Sequence, residues 1–402
     1  MKKTAGVGGR TDYAAIFNRN FNVVALINLF TMISYYLIFV ISTPYAISRF
    51  HTTPNVAGLT AGIIVLGCLA GRFITGNLIS LLGCRKVLFS GLVVYIGSIG
   101  LYFTVDSLET LFAVRFLTGI GVGFIGTATG TIVAYVVPKH QHGIGISFFS
   151  MSTALALAFG PFLGITLLQW TDYEHLFMVS LGFGAANLLV FFGLTIADHL
   201  TDTPVQGTKA LLRLSNYIDY RVLPFSLVVV VVCLCWGTVQ AFISFYARER
   251  GLVGAASLFF LVYAATVLLT RPISGKIFDS RGENVIVYPT LLLTSLGMLA
   301  LGVAESDWTM LCAGCLLGVG FGNFQSSAQA ISLSLVPKDR FGQATSTFFI
   351  FFDMGLGFGP YIFGSLVPEV GYGGVYKIAS GIAFASIALY YLMHGRKQRT
   401  EM

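Results

Sequence analysis

A chain of 402 residues, 55% of them hydrophobic and only 10% charged, lies far from the roughly 25% charge of soluble domains. That excludes a soluble enzyme or a free binding domain, and it predicts an all-α membrane protein. The formal net charge of +7 is spread over many short connections, so nucleic acid is excluded as the partner that explains it.

The opening MKKTAGVGGRTDY is polar and carries no short apolar segment with a cleavage site behind it, so residues 1–21 are expected to stay on the chain as a cytosolic segment. A span needs about 20 apolar residues. With breaks at charged, proline-rich or glycine-rich turns, six helices are predicted at 22–42, 56–82, 87–105, 108–136, 143–168 and 175–196, forming an amino-terminal half over 22–196. A polar linker over 197–222 follows, with Asp198, Asp202, Lys209, Arg213 and Asp219. A carboxy-terminal half over 223–393 has helices at 223–246, 255–278, 285–304, 308–336, 342–367 and 375–393, and a tail over 394–402. Most Lys and Arg residues lie in the termini and the connections on their side, whereas the opposite connections hold Arg49, Arg248, Arg250 and Lys377. The positive-inside rule therefore predicts cytosolic termini, as an even number of crossings requires.

The two halves repeat at a constant offset of 199 residues. Arg72, Gly76 and Gly83 match Arg271, Gly275 and Gly282; Gly119, Gly121 and Gly123 match Gly318, Gly320 and Gly322; Pro138 and Gly143 match Pro337 and Gly342; Gly160 and Pro161 match Gly359 and Pro360. This predicts two pseudo-symmetric parallel halves about an axis along the membrane normal, with a binding site between them near the midplane.

Asp353 stands alone in TFFIFFDMGLGFGPYIFG, residues 347–364. A carboxylate at a helix centre opposes insertion by roughly 2.5–3.5 kcal/mol, so it is expected to face a partner or a water path. Its mirror position is Ala154, so the acid does a job the shared frame does not need; proton coupling is the predicted role. Arg115 lies one to two turns inside helix four, and the amino-terminal spans hold no acid to serve it. Its partners are backbone carbonyls, a loop acid such as Glu109, or an anionic group on a substrate. Arg72 and Arg271 read as snorkelling to the interface or bracing the turns that follow. Asn28, Tyr35, Tyr36, Thr127, Trp236, Gln240, Asn323, Gln325 and Gln329 are candidates to line a central pocket, or they bond across helix contacts. The glycine runs at 119–123 and 355–359 read as close-packing surfaces, since no Lys-Ser/Thr follows them. The six cysteines lie in or beside apolar segments, so neither disulfides nor a metal site is expected. No nucleotide-binding GxxxxGK[ST] sequence occurs, so an ion gradient or the solute's own gradient must supply the energy.

These residues resemble the major facilitator superfamily over essentially the whole chain. The family's loop GxxxDRxGRR has its first copy at Gly76, Gly83, Arg85 and Lys86, with Ser80 in place of the acid, and its second at Gly275, Asp279, Arg281 and Gly282. Arg115 and Gly119 resemble its RxxxG signature, and Gly160, Pro161 and Gly164 its antiporter-associated GPxxGG signature, with Ile165 at the last position. The resemblance implies a twelve-helix transporter most similar to bacterial drug/metabolite:proton antiporters, working by alternating access and not as an enzyme. Gly76, Gly83, Arg85, Asp279 and Gly282 then form a conformational latch in which Asp279 meets the amino terminus of helix five near Gly143. Gly160, Pro161, Gly359 and Pro360 bend or pack their helices. The implied activity is proton-coupled efflux of a small amphipathic drug or metabolite by a monomer in the cytoplasmic membrane, with protons, solute and lipid as partners and no cofactor. The absence of amino-terminal acids favours neutral, zwitterionic or anionic solutes. Import, uniport and lipid flipping remain alternatives.

Overall fold

The computed structural model describes residues 13–52, 54–196 and 218–396. Residues 1–12 and 197–217, including most of the predicted linker, and 397–402 of the predicted tail lie outside this description. After a one-turn helix, Tyr13–Ile16, come α1 (Arg19–Phe50), α2 (Pro54–Leu82), α3 (Cys84–Leu101), α4 (Leu108–Val136), α5 (His142–Leu168) and α6 (Tyr173–Phe191). Beyond the undescribed segment lie α7 (Leu223–Arg250), α8 (Val253–Arg281), α9 (Glu283–Gly302), α10, α11 (Phe341–Gly364) and α12 (Val367–Tyr390). Helix α10 is made of Asp307–Leu317 and Asn323–Ser334 joined through a π turn, Gly318–Gly322. Eleven helices among the described residues are long and apolar enough to cross a membrane; α10 falls short because its π turn divides it. The fold is the all-α membrane architecture expected.

Several boundaries differ from the sequence reading for local reasons. Helix α1 runs for 32 residues, past Pro44, to a left-handed cap at His51, and its start is capped by Asn18, whose Oδ1 accepts from Phe21 N at 2.9 Å. Helix α12 begins earlier than predicted and breaks at Gly371, where φ is +68°. The 199-residue repeat extends to the caps. Ser107 and Thr110 form a capping box on α4, and Ser306 and Thr309 form the same box on α10, each satisfying amides that the first turn leaves orphaned.

Two apolar clusters form the core. The first is built mainly from α1 to α6 and the second from α7 to α12, the second also taking in Ala154 of α5. Contacts between these groups run chiefly through α5 against α8 and α2 against α11, joined by α5 with α10 and α4 with α11. Within the first group, α2 and α4 meet backbone to backbone. A Cβ at Gly119 would overlap the Ile64 carbonyl oxygen and lie 2.8 Å from Cys68 N, whereas one at Gly97 meets nothing within 4 Å. Overpacking of this kind costs about 1–3 kcal/mol. Gly119→Ala is therefore expected to lower the thermal midpoint in detergent, with Gly97→Ala neutral or slightly stabilising; equal midpoints would contradict the packing.

Candidate functional site

The seam between α2 and α11 holds the lone acid. Ser346, Phe349, Asp353 and Gly357 are spaced three or four residues apart, so they share one face of α11. The Ser346 hydroxyl donates to the Arg72 carbonyl at 2.5 Å, the Phe349 ring lies 4.1 Å from the Arg72 guanidinium carbon, and Asp353 Oδ2 is 2.6 Å from Arg72 Nε. Gly342 faces Ile79 at one end of this face and Gly357 faces Val65 at the other, so the two helices run antiparallel with the ion pair midway. Arg72 is 6% exposed and Asp353 9%. Cys68, one turn from Arg72, is buried within electrostatic range of both charged groups. Tyr35 and Tyr36 of α1 and Cys233 of α7 lie within electrostatic range of the carboxylate.

This arrangement corrects the reading of Arg72 and Arg271 as snorkelling or bracing groups. Each lies ten residues before its helix ends, about 15 Å at 1.5 Å per residue, too deep for its head to escape to water. Arg72 crosses the seam to Asp353. Arg271, 1% exposed, donates from Nε and Nη2 to the Gly322 carbonyl at 3.2 and 3.0 Å and from Nη2 to Gln325 Oε1 at 3.0 Å. Arg115 is fully buried within the first group of helices, with Nε donating to the Thr60 carbonyl at 3.0 Å and Nη1 to Tyr102 Oη at 3.5 Å. A backbone carbonyl and the Tyr102 hydroxyl, not Glu109, serve it.

The other sequence candidates divide by surroundings. Tyr35 and Tyr36 pack edge to face at 5.1 Å beside the pair. Asn28 donates to Ser152 and Thr153 of α5 at 2.7 and 3.0 Å, a bond between α1 and α5. Trp236 is stacked between Tyr263 and Phe321, each at 4.6 Å, and is 2% exposed, so it is packing in the second core. Gln240 is exposed. Asn323 donates to Thr270 Oγ1 at 2.9 Å and accepts from Ser274 at 2.8 Å. Gln329, Thr345 and Phe349 crowd Gly130 of α4, and the Thr127 hydroxyl and Gln329 Nε2 are buried without hydrogen-bond partners. Gly160 packs on Ile33 and Tyr36 of α1, and Gly359 on Leu234 of α7; Pro161 and Pro360 follow them inside their helices. The sequence reading missed Cys68, Ser346 and Phe349, although the helical spacing 346, 349, 353 marks the last two.

At the end of the bundle carrying the α2–α3 and α8–α9 turns, Asp279 accepts from Gly143 N at 2.8 Å and Ile144 N at 2.9 Å, placing a carboxylate on the amino terminus of α5. Gly83 and Gly282 turn there with φ of +84° and +88°, a conformation that suits glycine alone at little strain. Arg85 lies over the Phe191 ring at 5.9 Å, and the Gly76 carbonyl lies near Gly342. Ser80 donates to its own helix at Asn77 O, 2.7 Å. Tyr135 Oη donates across the seam to Lys338 O at 2.9 Å, so this end is closed.

A family model described as Major Facilitator Superfamily matches residues 24–322 and 256–401. The chain belongs to the Major Facilitator Superfamily. The uncharacterized MFS-type transporter YhhS of Shigella flexneri is 25% identical over 352 residues, covering 85% of this chain and 84% of the relative. An uncharacterized MFS-type transporter of Burkholderia mallei is 25% identical over 355 residues, covering 86% and 84%. Among solved structures, the human organic anion transporter MFSD10 superposes with a TM-score of 0.75 at 17% identity, covering 92% of this chain and 98% of that one. The proton:xylose symporter XylE gives 0.75 at 15% identity, covering 94% and 96%. At these identities the structures speak for the fold. Membership makes this chain a multi-pass secondary transporter of small molecules and not an enzyme.

Proposed function

We propose that this facilitator-superfamily chain couples proton movement to efflux of a small amphipathic drug or metabolite, with the Arg72–Asp353 pair as its coupling switch. The observation that carries the reading is that the lone mid-membrane acid is bound to an arginine of the other half of the repeat. Protonating Asp353 removes one charge of the pair and leaves Arg72 uncompensated, which weakens the α2–α11 seam; deprotonation remakes the pair and draws the helices together. A proton moved through 100 mV carries about 2.3 kcal/mol, enough to bias a two-state seam about fiftyfold, since 1.4 kcal/mol is a factor of ten. In this reading the chain works as a monomer in the cytoplasmic membrane with both termini cytosolic, its closed end facing the cytosol, and it needs no cofactor.

The test uses inverted membrane vesicles with a pH-sensitive dye in an acidified lumen and a panel of amphipathic solutes added outside. Antiport predicts that a transported solute raises lumenal pH in vesicles containing the protein and not in empty ones. Solute uptake with no pH change would mean uniport, and lumenal acidification on solute entry would mean symport.

A further inference from the structure

Arg72 and Arg271 are repeat equivalents, yet only Arg72 has an acid. The position mirroring Asp353 is Ala154, which packs into the second core cluster at 5% exposure. Among the described residues no ion pair reaches Arg271, and its Nη1 is buried without a hydrogen-bond partner. What holds it is neutral: the Gly322 carbonyl, in the π turn that interrupts α10, and the Gln325 amide oxygen. The π turn is itself an asymmetry, because the matching stretch of α4, Gly119–Gly123, stays α-helical; such turns are frequent at functional sites. Gln325 is half-buried and stands near the middle of α10. A buried guanidinium with a free N–H and only dipoles around it is costly unless an anion arrives, and a guanidinium beside a primary amide is a donor set suited to a carboxylate.

We propose that Arg271 and Gln325 form the anion-recognition site of this transporter, and that the transported molecule carries a carboxylate or another single negative charge which occupies the counter-ion position that Asp353 fills for Arg72. Substrate and fixed acid thus play mirrored roles: one half supplies its own carboxylate and the other takes one from the solute. The proposal rests on the transport reading above but not on its proton coupling.

The experiment measures thermal stabilisation of the purified full chain in detergent by matched pairs of aromatic and aliphatic monocarboxylates and their carboxamides. Selective stabilisation by carboxylates is expected in the wild type, at least tenfold weaker binding in Arg271→Gln, and partial retention in Arg271→Lys. Ala154→Asp provides a second arm that keeps Arg271: by symmetry it supplies an internal counter-ion, so it should raise the unliganded midpoint while abolishing the response to carboxylates. Carboxylates that act no better than their amides in the wild type, or that still bind Arg271→Gln or Ala154→Asp as in the wild type, would overturn the proposal. Proton flux in the vesicle assay separates the two readings. Carboxylate binding with no solute-driven flux overturns coupling alone, and flux driven only by uncharged solutes overturns the anion site alone.

Discussion

Asp353→Asn is expected to abolish solute-driven proton movement and to destabilise the protein by about 3–5 kcal/mol, because breaking a buried pair strands the remaining charge. The stranded group is Arg72, 6% exposed, with Nη1 already lacking a hydrogen-bond partner. A double variant, Asp353→Asn with Arg72→Gln, removes both charges. It is expected to recover most of the lost stability, with a coupling energy between the sites well above the few tenths of a kcal/mol found for independent positions, while coupled transport stays absent. Stability and coupling are thereby separated, which no single substitution achieves. The measurements are thermal midpoints in detergent and dye-reported proton flux in vesicles. Wild-type flux in Asp353→Asn would sink the coupling role; a double variant no more stable than the single one would mean that the pair contributes nothing as a pair.

The sequence carried the architecture because membrane folds are strongly constrained. Hydrophobic length gave the spans, and the 199-residue offset gave the repeat, which the structure extends to the Ser107 and Ser306 caps. The family resemblance, read through the offset, implied that Asp279 meets the start of helix five near Gly143. The offset did not show what crosses the α2–α11 seam, since alignment of one half on the other matches positions and says nothing of which opposite residue each touches. Arg72 and Arg271 align perfectly, yet one side chain reaches across to Asp353 while the other turns inward to Gly322 and Gln325. The π turn at Gly318–Gly322 was equally hidden, because its glycines match those of a regular α-helix in α4. Trp236 shows the converse limit. Its polar N–H suggested a pocket, but the ring lies sandwiched between Tyr263 and Phe321, and aromatic burial decided its place.

The same asymmetry bears on the closed end of the seam, where Asp279→Asn is expected to shift the protein toward the state open on that side. Two amides at the α5 amino terminus donate to this carboxylate at 2.8 and 2.9 Å, and hydrogen bonds to a charged group are each worth about 1.5–3 kcal/mol, to which the helix terminus adds about 0.3–1 kcal/mol. Asparagine keeps the shape but loses the charge, and its NH2 end presents a donor to an N–H. Losing half of one such bond, about 1.4 kcal/mol, moves a two-state equilibrium about tenfold. At the mirror position the clamp is missing, because Ser80 bonds back to Asn77 of its own helix, and Gly342 faces Ile79 and the Gly76 backbone. Closure on this side therefore leans on α5–α8 more than on α2–α11, and Ser80→Asp should act in the opposite sense to Asp279→Asn by giving α11 the carboxylate that α5 already has. Cysteines introduced along the seam between Tyr135 and Lys338, probed with a membrane-impermeant thiol reagent in inverted vesicles, report the shift. The expected labelling rates rise in Asp279→Asn and fall in Ser80→Asp; unchanged labelling in both would show that the clamp does not govern closure.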